Sequence, residues 1–145
     1  MNRIGLIAML ICLNVFATTS WQQEVKSLLP KPISEFRPGQ TTLKEVEKNL
    51  GKAHHIQDSK YYWEKDGLKY ALELTFESNI LTSLHYTFTG KKPDLMILKK
   101  HINLKNFTPY PKEGKSIGRF LKLQEQGSEL VIDPVSKTIY SVRLP

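Results

Sequence analysis

Residues 68–77 alternate between core-type and polar positions with the period of a β-strand. Leu68, Tyr70, Leu72, Leu74 and Phe76 share one parity, and Lys69, Ala71, Glu73, Thr75 and Glu77 share the other. Successive strand side chains point to opposite faces, so this pattern makes a strand buried on one side and wet on the other. Asp66-Gly67 precedes it and Ser78-Asn79 follows it. Both dipeptides suit the left-handed backbone of a two-residue hairpin turn. Residues 55–65 supply the strand before. Leu84, Tyr86 and Phe88 carry the apolar face into the strand after, with Ser83, His85 and Thr87 opposite. The pattern predicts a three-stranded antiparallel meander.

A helix signal comes before that meander. Thr42 and Glu45 have capping-box spacing, in which a hydroxyl accepts an orphan helix N–H and a carboxylate bonds back to the cap. Leu43, Val46 and Leu50 continue at helical spacing, and Gly51 stands where a helix end favours positive φ. Residues 22–29 form a shorter helical pattern stopped by Pro30 and Pro32. The second half repeats the order. Residues 94–102 read as a helix capped by Asp94 with the stripe Leu95, Leu98 and Ile102. Strands then follow at 119–125, 128–133 and 138–144. The expected fold is α+β: one antiparallel sheet of about six strands with helices on one face. It consists of two helix-plus-three-strand units, about 36–90 and 91–145, within one domain spanning 21–145.

The first 20 residues read as a secretory leader. Arg3 precedes an apolar run at 4–17, followed by Thr18, Thr19 and Ser20. A helix over that run spans about 21 Å, short of a bilayer core of about 30 Å. Cleavage is expected after Ala17 or after Ser20, giving a secreted or periplasmic protein with no remaining transmembrane span. Cys12 is the sole cysteine, and Met9, Leu10 and Ile11 before it do not form a lipidation site. Loss of the leader leaves no thiol for a disulfide, a nucleophile or a metal, so stability must come from the core.

Pro38-Gly39-Gln40-Thr41-Thr42, Glu45-Val46 and Leu50-Gly51 resemble the opening of the SmpA/OmlA family of small outer-membrane assembly proteins, the BamE-like group. Trp63, the strand through Phe76 and the turn into Leu81 and Leu84 extend the resemblance over about 36–88. The repeats of β-lactamase inhibitor proteins look similar, with the same helix-plus-sheet design. The resemblance implies a non-enzymatic cell-envelope module. The matched residues are caps, turns and core, and none does chemistry. Ala53 stands where the family usually has proline.

Functional candidates are few. His54, His55, His85 and His101 show no H-x-H or H-x-x-x-H spacing, and adjacent strand residues cannot easily share a metal. No nucleophile elbow, S-x-x-K or phosphate-binding loop occurs. The reading is therefore no enzyme activity, no cofactor and no metal. His85 is placed to pair with Glu73 across strands. Tyr61, Tyr62 and Trp63 are consecutive on a strand, so one face receives two rings and the other receives one. Residues 91–122 carry nine Lys or Arg side chains against Asp94 and Glu113, in a chain of net charge +7. Tyr110 lies within that basic stretch. The candidate partner-binding residues are Tyr62, Trp63, His85, Lys99, Lys100 and Tyr110. They suit an envelope protein or an anionic lipid surface. Export argues against nucleic acid. The expected function is a cell-envelope binding or scaffolding module; the alternative is a secreted inhibitor of a hydrolase.

Overall fold

A computed structural model describes residues 20–110 and 119–145. The leader assigned to 1–20 therefore lies outside the described residues, apart from Ser20. So do Lys112, Glu113 and Lys115 of the basic stretch. Helix α1 (Ser20–Leu28) places Trp21 and Val25 in the core, and Leu29 joins them just past its end. Helix α2 (Leu43–Leu50) begins at the expected capping box. The Glu45 N–H donates to Thr42 Oγ1 at 3.2 Å, and the Thr42 N–H donates to the Glu45 carboxylate at 2.8 Å. Gly51 ends it at φ 75°.

Four strands follow: β1 (His55–Gln57), β2 (Lys60–Lys65), β3 (Leu68–Glu77) and β4 (Ile80–Thr87). Four more come later: β5 (Thr108–Pro109), β6 (Leu121–Glu125), β7 (Ser128–Asp133) and β8 (Thr138–Leu144). They make one open antiparallel sheet in the order β1-β2-β3-β4-β8-β7-β6-β5. The α+β class with helices packed against an antiparallel sheet is thus the observed one. Eight strands replace the six expected. Residues 55–65 break at Asp58, whose φ is 55°, and β5 adds a short edge. Each unit is a four-strand meander, and the two join through their last strands, β4 and β8.

The units are a structural repeat at the level of individual hydrogen bonds. In the first, the Leu43 N–H donates to the Asn79 carbonyl at 2.9 Å, and the Leu81 N–H donates to Thr41 at 2.8 Å. In the second, the Leu95 N–H donates to Lys137 and the Ile139 N–H to Pro93, both at 2.9 Å. Thr42 bridges Ile80 as Asp94 bridges Thr138. Both β2–β3 and β6–β7 close on a two-residue turn with positive φ, Asp66-Gly67 and Gln126-Gly127, the geometry that matches sheet twist.

The expected helix over 94–102 is not formed. A 3-10 segment, Leu95–Leu98, stands there. Asp94 caps the Met96 N–H at 2.8 Å, but Ile97 occupies the position that Glu45 holds in the first unit. No carboxylate closes a capping box, and β-branched Ile97 favours a helical turn less.

Leu72, Leu74, Leu84, Val142, Leu130 and Leu123 are among the sheet residues of one hydrophobic cluster, which Trp21, Val25, Val46 and Leu98 cover from the helical side. The opposite face of the sheet has no described helix over it.

Candidate functional site

Strand alternation sorts the aromatic triplet. Trp63 is 5% exposed and belongs to the core, with its indole N–H donating to the Gly51 carbonyl at 3.2 Å. Tyr61 packs on the same side, 5.1 Å edge-on from Phe76. Tyr62 alone goes to the open face. Trp63 is therefore withdrawn as a partner-binding residue: its parity places it under α2, where its ring packs with the core and its N–H caps the helix end.

Tyr62 has company that the alternation did not predict. Alternation alone places Tyr70 on the buried parity, yet it is 54% exposed and meets Tyr62 edge-on at 5.0 Å. The cause is an irregularity in the β2–β3 ladder between Trp63 and Lys65, which shifts the register before Leu72. A β-bulge reverses which face a side chain takes. His55 on β1 completes the cluster, 5.7 Å from Tyr62 and 6.3 Å from Tyr70.

The sheet register carries this face inward. Tyr62 is opposite Glu73, Glu73 opposite His85, His85 opposite Arg143, and Arg143 opposite Glu129. A row of polar side chains thus crosses the seam between the two units. Arg143 Nη1 donates to Glu73 Oε1 at 3.2 Å, and Lys60 Nζ lies 3.6 Å from the same oxygen. Arg143 Nη2 donates to His85 Nδ1 at 3.1 Å. A guanidinium only donates, so that ring nitrogen is unprotonated. Glu73 Oε2 lies 3.9 Å from it. The expected pairing of His85 with Glu73 is present, and Arg143 holds both.

The charges tune one another. Burial lowers the His85 pKa, and the Arg143 charge lowers it further against the opposing pull of Glu73 and Glu129. Burial works to raise that of Glu73, but Arg143, Lys60 and His85 outweigh it, and the carboxylate is held below its ordinary range. Glu73 is ionised and His85 neutral at pH 7.

The remaining candidates stand elsewhere. Lys99 and Lys100 are exposed just beyond Leu95–Leu98, whose Leu95 and Leu98 face the helical-side core. Tyr110 is half-buried beside the edge strand β5, its N–H donating to the Phe120 carbonyl at 3.0 Å. Lys122 lies opposite Val131 on β7. The basic stretch is thus divided between layers of the fold. The structure unites Tyr62 with His85 and separates them from Lys99, Lys100 and Tyr110. Arg143 and Tyr70 were not singled out by sequence. Among the described residues no group of three or more His, Cys, Asp or Glu side chains could hold a metal, and no helix is long and apolar enough to cross a membrane.

No family model matches the chain, and no curated protein matches it. Among solved structures it is similar to a DUF4309 family protein, YjgB, from Bacillus subtilis. The TM-score is 0.47 at 16% identity, over 86% of this chain and 91% of that one. The SmpA/OmlA, BamE-like resemblance is therefore corrected: the structural match is to a DUF4309 protein and not to that family. The residues behind the resemblance are the capping box, Leu50-Gly51 and alternating core positions. These are local features of one capped helix followed by an antiparallel meander, and they specify that local design and no particular family.

Proposed function

We propose that this is a non-enzymatic binding module, acting outside the cytoplasm, whose recognition surface for a protein partner is the open face of the sheet. One observation carries this reading: the cluster of exposed His55, half-buried Tyr62 and exposed Tyr70 stands beside the Glu73–His85–Arg143 network, on the face without a described helix. Tyr and Arg are the side chains that dominate binding energy at protein interfaces, where rigid rings desolvate well and guanidinium forks pair with carboxylates. The network orders Arg143 in advance, which reduces the entropy lost on docking. The leader read at 1–20 supports export. A hydrolase as the partner makes the module an inhibitor.

Affinity capture from extracellular and envelope extracts tests this reading. Tyr62→Ala with Tyr70→Ala is expected to abolish capture, while Lys99→Glu with Lys100→Glu leaves it unchanged. The reverse pattern, with salt-sensitive binding to anionic vesicles, moves recognition to an anionic surface and removes the sheet-face reading.

A further inference from the structure

A groove of about 720 Å³ lies away from the open-face site, where α1, the segment at 36–39, β4 and the end of β8 meet. That is within the range of about 300–1,000 Å³ typical of small-molecule sites. Its apolar lining includes Phe36, Pro38, Leu84, Leu144 and Pro145. Two cations, Lys26 and Arg37, also line it. Neither makes an ion pair with any described residue. Lys26 is half-buried and feels the charge of the exposed Arg37, so an anion placed between them is favoured over an uncharged group. Burial lowers the Lys26 pKa and the Arg37 charge lowers it further, both effects that a bound anion would offset.

We propose that this groove binds a single-chain amphiphile with a carboxylate head, the head between Lys26 and Arg37 and the chain along Phe36, Pro38, Leu84 and Leu144. Apolar lining alone would take any hydrocarbon. The paired cations add the head-group requirement, and an Arg fork suits a carboxylate. The site is independent of the open-face reading and needs none of its residues.

The test is calorimetric titration of the protein with monomeric decanoate, alongside 1-decanol, which has the same chain length and no charge. Decanoate is expected to bind one-to-one, at least about tenfold tighter than decanol. Lys26→Gln with Arg37→Gln is expected to remove that tenfold preference and leave decanol binding unchanged. Lys26→Arg with Arg37→Lys keeps the charges and is expected to retain decanoate, which separates charge loss from misfolding. Backbone amide shifts on binding are expected near 37–39, 82–84 and 144. The proposal is overturned by neither heat nor amide shifts with decanoate at about 1 mM, by equal affinity for acid and alcohol, or by shifts elsewhere. Binding to phosphatidylglycerol vesicles without binding of monomeric decanoate also overturns it, assigning the cations to a membrane surface.

Discussion

The two meanders share a hydrogen-bond plan but are covered differently. The first has its own helix: α2 carries a complete capping box and buries Val46. The second has only Leu95–Leu98 at the equivalent place, and α1 makes up the difference. Trp21 Nε1 donates to Glu125 Oε2 at 2.8 Å, and the Gln22 amide bonds to Ser128 Oγ and to the Glu125 carbonyl at 3.3 Å. A helix that precedes the first unit in sequence is thus fastened to the β6–β7 turn of the second. A repeat can keep its backbone joints while losing a helix, provided that another segment buries the same sheet face.

The largest test of this division is Trp21→Ala. It removes a fully buried ring and leaves the Glu125 carboxylate without its indole partner. A loss of about 3–5 kcal/mol is expected in chemical denaturation. Hydrogen exchange should accelerate first in β6 and β7. Equal acceleration in β2 and β3 would show that α1 serves both units alike.

Leu74→Ala and Leu130→Ala probe the shared core from either side, since both side chains are fully buried in one cluster. Each is expected to cost about 2–5 kcal/mol. Unfolding should remain one cooperative transition, because the β4–β8 seam joins both meanders. Two separable transitions would mean that the units fold independently.

The caps sharpen the contrast on a smaller scale. Thr42→Ala breaks a reciprocal box and is expected to cost about 1 kcal/mol. Asp94→Ala loses a single cap bond on a 3-10 turn and should cost less. Thermal melts of the two variants decide the order, and a larger loss at Asp94 would invert the comparison.

The smallest effect belongs to the seam. His85 has a folded-state pKa below the ordinary value, so the unfolded chain takes up the proton first as pH falls. Its contribution to stability is complete above the ordinary histidine pKa of about 6.5. It is lost as pH drops from there through the folded value. His85→Gln is expected to flatten the stability profile as pH falls below the ordinary histidine pKa of about 6.5. Glu73 and Asp133 also titrate below their ordinary values, so what they contribute is present above the carboxylate range and lost on further acidification. At Asp133 burial acts to raise the pKa, but hydrogen bonds from Ser136 and Val135, with Arg119 at 2.6 Å, prevail. Denaturation at pH 7.5, 5.5 and 2.5 separates the histidine step from the carboxylate step.

Much of this architecture was legible locally. The bounds of β7 and β8, the box at Thr42 and the division of Tyr61, Tyr62 and Trp63 all follow from period and spacing over a few residues. The misreadings share a cause. Tyr70 changed face through a ladder irregularity that depends on how β2 meets β3. Residues 94–102 have a helical stripe, but the covering of the second meander by α1 made a full helix there unnecessary. Arg143 passed unnoticed because its partners lie 58 and 70 residues earlier in the chain.

By itself, the sequence determined the spans of β3, β7 and β8, the turns at Asp66-Gly67 and Gln126-Gly127, and which residues start and stop α2. Those outcomes depend on backbone sterics, side-chain alternation and capping within one turn or one hairpin. Only the tertiary structure decided that β4 and β8 pair, that α1 lies over the second unit, and that Arg143 joins Glu73 and His85 on one face. Each of these requires contacts between distant parts of the chain, selected by the burial of a common core that local pattern does not encode.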